Sequence, residues 1–139
     1  MFLFDTNAVI AAINNRPAIV GDRLAERLLA GAHVSVSSIV IFELQYGVAN
    51  SQRRDANTAR LEQFLSGRIG ILPFESEDAA VAGEIRVEFE RKGTPIGPYD
   101  LLIGAQALRH GATLVTANVR EFRRIKGLTC ADWGKPVRL

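Results

Sequence analysis

The stretch Phe2-Leu3-Phe4-Asp5-Thr6-Asn7 governs the reading of the whole chain. Three consecutive apolar residues ending at an acid suit a short strand buried on both faces, as parallel strands are. Asp5, Thr6 and Asn7 are all helix-capping residue types, and Ala8 to Ile13 follows with helical apolar spacing. A strand that runs directly into a helix is the first half of a βαβ unit, and the rest of the chain repeats the pattern.

Pro17 predicts the opening of a second helix that runs to about Ala30 and stops at Gly31, with Leu24, Leu28 and Leu29 on its inner face. Val34 to Val36 reads as a second strand. Ser37 and Ser38 then start a helix through about Ala49. Arg53 to Leu65 reads as an amphipathic helix with Ala59, Leu61, Phe64 and Leu65 inside, ended by Gly67. Ile69 to Phe74 reads as a third strand. Glu75, Glu77 and Asp78 suit the first turn of the next helix, which runs to Arg91 and closes at Lys92 and Gly93. After a loop over Thr94 to Gly97, Pro98 opens a helix that runs to His110 before Gly111. Thr113 to Thr116 reads as a fourth strand, Arg120 to Ile125 as a short basic helix, and Leu128 to Cys130 as an edge strand near Trp133. Strands and helices that alternate from end to end predict an α/β fold, in a single domain over residues 1–139. Its parallel sheet of about five strands is covered by helices on both faces.

Composition limits the functional classes. A chain of 139 residues, 47% hydrophobic, holds a core without covalent staples. The single cysteine, Cys130, forms no internal disulfide and no multi-cysteine zinc site, and it reads as a small apolar residue. Together with the lack of a basic leader before the opening apolar run, this predicts a cytoplasmic protein. No apolar stretch reaches the roughly 20 residues that span a bilayer, so no membrane segment is expected. There is no G-x-x-x-x-G-K-[ST] run, no G-x-G-x-x-G and no G-x-S-x-G elbow. Only His33 and His110 are available as histidines, and His110 beside Gly111 reads as a helix-end cap.

Ligands of open parallel sheets bind at the carboxyl ends of the strands. Asp5 follows the first strand, Ser37 and Ser38 the second, Thr116 and Asn118 the fourth. Two further acids stand out by context. Glu43 lies in Ile39-Val40-Ile41-Phe42-Glu43-Leu44, and Asp100 in Pro98-Tyr99-Asp100-Leu101-Leu102-Ile103. A carboxylate among apolar neighbours must be paired, protonated or bound to a metal. Singly, Asp5 and Asp100 suit helix caps and Glu43 suits a salt bridge. Gathered at one sheet edge, the three favour a metal site. All-oxygen ligation suits Mg²⁺ or Mn²⁺ over zinc, and such a site activates water and stabilises charge on a phosphate. With three of the 15 acids in one pocket, the 17 lysines and arginines outnumber the remaining 12, which suits a polyanionic substrate.

Phe2-Leu3-Phe4-Asp5-Thr6-Asn7, Ile41-Phe42-Glu43-Leu44-Gln45-Tyr46-Gly47, Pro95-Ile96-Gly97-Pro98-Tyr99-Asp100-Leu101-Leu102-Ile103 and Leu114-Val115-Thr116-Ala117-Asn118-Val119-Arg120-Glu121-Phe122 occur in that order. The set resembles the PIN-domain ribonucleases, and within them the VapC-type toxins of bacterial toxin–antitoxin pairs. The resemblance spans nearly the whole chain. It implies a three-layer α/β/α sandwich with a mostly parallel central sheet, and Mg²⁺- or Mn²⁺-dependent cleavage of RNA with one or two ions. Asp5, Glu43 and Asp100 carry over as the acidic centre, with Thr6, Ser38 and Thr116 as supporting polar residues. Where the family often has a fourth acid this chain has Asn118, which offers an oxygen but no charge, with Glu121 a helical turn further on, so either Glu121 stands in for it or one ion suffices until substrate phosphate supplies further oxygens. The resemblance also implies a cognate antitoxin and a homodimer. The apolar faces of Ile10 to Ile13 and Leu24 to Leu29 suit an antitoxin groove and suit core packing equally well. Arg120, Arg123, Arg124 and Lys126, with Arg91 and Lys92, are the expected RNA contacts. Two other readings stand beside this one: a non-catalytic PIN-like module that binds RNA or protein, and a flap-type DNA nuclease.

Overall fold

The computed structural model describes residues 1–136. Among these, five strands form one parallel sheet: β1 (Phe2–Phe4), β2 (Val34–Ser37), β3 (Ile69–Leu72), β4 (Thr113–Val115) and β5 (Thr129–Ala131). Seven helices flank it: α1 (Thr6–Asn14), α2 (Ala18–Leu29), α3 (Ser38–Ala49), α4 (Arg54–Leu65), α5 (Ser76–Arg91), α6 (Pro98–Arg109) and α7 (Val119–Phe122). The strand order is β3-β2-β1-β4-β5. The chain winds outward from β1 to β3, then returns to the other side of β1. That reversal opens a crevice between the carboxyl ends of β1 and β4, where doubly wound sheets hold their ligands.

Register fixes which residues meet there. Phe4 is opposite Val36 on one side and Val115 on the other, and Val115 is opposite Ala131. The residues one step further on therefore stand in a row: Ser37, Asp5, Thr116 and Asp132. Backbone bonds extend the row, with the Asp5 amide donating to the Val115 carbonyl at 3.1 Å and the Thr116 amide to the Ala131 carbonyl at 3.0 Å.

Leu3, Phe4, Val9, Val36, Val40, Ile103 and Leu114 form the buried centre beneath that row. Trp133 meets Phe2 and Phe4 edge-on, with ring centroids 5.1 and 5.2 Å away. On α6, Gly104 permits a close crossing: a Cβ there would lie 2.4 Å from the Ile125 Cδ1 and 3.4 Å from the Phe122 ring. The absence of a side chain lets the α7 segment settle onto α6 beside Asp100.

Element boundaries differ from the sequence reading for local reasons. β3 stops at Leu72, since Pro73 has no N–H to give the ladder. Pro17 takes the N-cap position of α2 rather than its first turn, and α7 is a single turn ending at Phe122. β5 is displaced by one residue, to Thr129–Ala131. Two faces are corrected. Leu29 is 84% exposed, because Leu24 and Leu28 share a face at i, i+4 and the next residue turns away from it. Ala59 is also exposed, lying on the far side of α4 from buried Leu61.

Candidate active site

The acidic row is built by short-range chemistry. Asp5 leaves β1 in extended conformation and caps α1, its Oδ1 accepting the Ala8 amide at 2.8 Å. It also bonds to the Thr116 hydroxyl, which accepts the Asn118 amide at 2.9 Å. Ser37 caps α3 through the Ile39 amide and so orients the helix that carries Glu43. The Thr6 hydroxyl donates to Glu43 Oε1 at 2.7 Å, across 37 residues of sequence. Asp100 sits in the first turn of α6, and its carboxylate folds back over Gly97, where a Cβ would lie 3.6 Å from Oδ2.

Capping and metal binding were competing roles for Asp5 at the sequence level, and the capping half is present. Among the described residues, none of Asp5, Glu43 and Asp100 pairs with a lysine, arginine or histidine. Burial pushes the Asp5 carboxyl up. The Thr116 and Ala8 hydrogen bonds pull it back in part, and the charges of Glu43 and Asp132 push it further. Asp100 is also raised, by burial first and then by Glu43, Asp5 and Glu121. The acids therefore feel one another, with no cation among the described residues paired to them.

No three histidine, cysteine, aspartate or glutamate side chains among the described residues are placed to hold a metal ion. The donor set is all oxygen, which suits a hard divalent cation such as Mg²⁺ and not zinc.

Other predicted site residues separate into those that reach the acids and those that do not. Thr6 and Thr116 bond to them directly. Ser38 does not: its hydroxyl accepts the Phe74 amide at 3.0 Å, stitching α3 to the chain leaving β3. Asn118 is exposed at the start of α7, and its side chain makes no capping bond. Glu121 is close enough to raise Asp100, but its carboxylate is held by Arg124 at 2.5 Å. Arg120, Arg123, Lys126, Arg91 and Lys92 are exposed, whereas the Arg124 guanidinium is engaged within the protein, with its side chain 29% exposed. Asp132 was missed. Its Oδ1 accepts the Gly134 amide at 2.8 Å, and its charge bears on Asp5. Only the one-residue shift of β5 brings it into the row.

Beside the acids lies a groove of about 330 Å³ between α1, α3 and α4. Ile10, Ile13, Leu44, Val48 and Leu61 give it apolar walls, Glu43 stands at its edge, and Arg60 bonds the Ile13 carbonyl and Asn14. Of the two faces read from sequence, Ile10 and Ile13 line this groove, whereas Leu24 is buried and α2 contributes no wall to it.

A sheet of this order with a cluster of uncompensated acids at its switch point is the arrangement of a PIN domain, and residues 2–128 match the PIN domain family. The chain belongs to that family. It is 42% identical to Ribonuclease VapC2 of Rickettsia felis, over 97% of this chain and 99% of that protein. It is 40% identical to the tRNA(fMet)-specific endonuclease VapC of Salmonella typhimurium, over 95% and 97%. The fold superposes with a TM-score of 0.88, at 41% identity and over 95% of this chain and 98% of that one, on a chain in the crystal structure of VapBC2 from Rickettsia felis bound to a DNA fragment from their promoter.

Proposed function

We propose that this chain is a divalent-metal-dependent endoribonuclease, the toxin of a VapC-type toxin–antitoxin pair. The observation that carries the reading is the uncompensated acidic set at the β1–β4 crevice. Carboxylates raised by burial and then by one another are costly unless a cation joins them. Asp5 and Asp100 hold Mg²⁺ or Mn²⁺. Glu43 completes the shell or orients the attacking water: Thr6 fixes Oε1 and leaves Oε2 free to accept the hydrogen bond of that water. Thr116 keeps Asp5 aimed into the crevice. The bound cation supplies positive charge for the phosphate oxygens and makes water more acidic. Hydrolysis leaves a 5′-phosphate and a 3′-hydroxyl. Asn118 and Asp132 flank the centre, and with Glu121 taken by Arg124 we assign one firm ion.

RNA reaches the centre past Arg120, Arg123 and Lys126, which ring α7 and are exposed. Given the relatives, transfer RNA is the first substrate to test. An antitoxin segment lays apolar side chains in the α1–α3–α4 groove and directs a cation at Glu43, which silences the site. Phe42 and Tyr99, with rings 5.5 Å apart and each about half exposed, form a face suited to the homodimer. The non-catalytic and flap-nuclease readings gain no specific observation.

The test is cleavage of RNA by wild type, Asp5→Asn and Asp100→Asn at equal Mn²⁺, with the ends of the products sequenced. Asparagine keeps the α1 cap, so folding is preserved. We expect both variants to lose about a thousandfold or more in kcat, as removal of a central catalytic group does. Wild-type cleavage by either one would remove that residue from the centre.

A further inference from the structure

Arg124 was read from sequence as an RNA contact, but its guanidinium faces inward. One arm bonds Glu121 at 2.5 Å, and the same nitrogen lies 3.5 Å from the Pro95 carbonyl. The other arm donates to the Thr94 carbonyl. The guanidinium carbon rests 4.8 Å from the centre of the Phe89 ring on α5. One side chain thus ties together α5, α7 and the loop over residues 94–97.

That loop leads straight into the first turn of α6. Gly97 is the N-cap, its carbonyl accepts the Leu101 amide at 2.9 Å, and the Asp100 carboxylate lies against it. Gly97 offers no side-chain cap to hold the turn, and in the loop Ile96 packs against the core while Thr94 and Pro95 are exposed. Among the described residues, Arg124 is the side chain that donates to the Thr94 and Pro95 carbonyls.

We infer that Arg124 is a positioning residue for the acidic centre, bracing the loop that sets Asp100 and holding Glu121 beside it. Its planar fork matches a task that needs a carboxylate and two carbonyls bound from one head group, in contact with an aromatic face. A lysine keeps the charge and reaches one acceptor at a time. The inference rests on the nuclease reading for its catalytic consequence, while the bracing itself is independent of it.

The experiment compares full-length wild type, Arg124→Gln and Arg124→Lys. Amide hydrogen exchange is followed in EDTA, Mn²⁺ binding by calorimetry, and kcat and KM on one RNA. We expect Arg124→Gln to exchange the Thr94 and Leu101 amides, which bond the Phe89 and Gly97 carbonyls, about tenfold faster or more, while Leu3, Val36 and Leu114 stay protected. Its Mn²⁺ affinity and kcat should fall by about 10- to 100-fold, the usual cost of losing a group that orients a ligand. KM should change less than kcat, whereas a lost phosphate contact would raise KM and flatten its salt dependence. Arg124→Lys should fall between the two in loop exchange and in kcat, and it carries the same test if the glutamine variant does not fold. Loop exchange and Mn²⁺ affinity equal to wild type in both variants would overturn the inference, as would exchange that rises equally in the core. Asp100→Asn separates the two ideas: if it cleaves like wild type, the nuclease assignment of Asp100 fails, and the loop exchange still decides the bracing role.

Discussion

Two groups of carboxylates lie at opposite ends of α6 and reach opposite electrostatic states. At its C-terminal end, Asp78 is wholly buried, yet Arg109 bonds it at 2.5 Å, the Glu75 amide bonds it at 2.8 Å, and His110 stands 3.8 Å away. Burial works to raise this carboxyl, but the Arg109 bond, the Glu75 amide and the charges of Arg109 and His110 hold it below the usual carboxylate range. At the N-terminal end, Asp100 faces Asp5, Glu43 and Glu121 with no cation paired to it among the described residues, and Asp5 and Asp100 are raised. The side-chain chemistry is the same. One group holds α5 to α6, and the other weakens the metal-free fold. A fold that neutralises Asp78 so fully and leaves Asp5 and Asp100 uncompensated is organised around something that arrives later.

The largest expected effect in this contrast is on stability. Asp78→Ala removes a capping box and a buried ion pair together, and it should cost about 3 kcal/mol. In a domain of this size that lowers Tm by about 10 °C. Asp100→Asn should do the reverse in EDTA, raising Tm because it removes a repelled charge. Activity should invert the order, with Asp78→Ala cleaving RNA normally below its melting range. Thermal melts of the two variants in EDTA decide it. If Asp100→Asn destabilises as much as Asp78→Ala, the two ends of α6 are not different in kind.

Slightly smaller is the response to metal. Mn²⁺ at a hundredfold excess over Kd should stabilise the wild type by about 2.7 kcal/mol, since an ion that binds only the folded state shifts the equilibrium by mass action. Asp78→Ala should keep that increment and Asp100→Asn should lose most of it. An equal rise in all three proteins would place the ion elsewhere.

How much of this contrast was readable beforehand depends on how local each cause is. The apolar run before Asp5 and the isolated acids at 43 and 100 carry their own signal, because an acid in an apolar segment is costly wherever it lands. Asp78 appeared only as a first-turn acid, since its partner lies 31 residues away on another helix. Asp132 follows a three-residue edge strand, where the apolar pattern is too short to fix register within one residue. Arg124 sat in a run of basic residues that looked alike, and its acceptors at Thr94 and Pro95 lie 30 and 29 residues away in sequence. Ser38 was misplaced for a related reason: its hydroxyl answers the Phe74 amide, freed where Pro73 ends β3.

The smallest expected effect is on pH dependence, and there the two ends should again have opposite signs. Asp5 and Asp100 are raised in the folded, metal-free protein, so it binds more protons than the unfolded chain above the ordinary carboxylate value, about 3.9. Their contribution to stability is fully present below that value and is lost as pH rises through their raised values. Asp78 is lowered, so its contribution is present above the ordinary value and is lost as pH falls through its depressed one. Melts in EDTA between pH 7 and pH 4 should therefore show the advantage of Asp100→Asn over wild type shrinking as pH falls, while the deficit of Asp78→Ala stays level. Below about pH 3.9 that deficit should begin to close, because wild type then loses the ion pair as well. An Asp100→Asn advantage that does not vary with pH would mean that the Asp100 charge is already compensated in the metal-free fold, and the acidic centre would then need no ion to account for it.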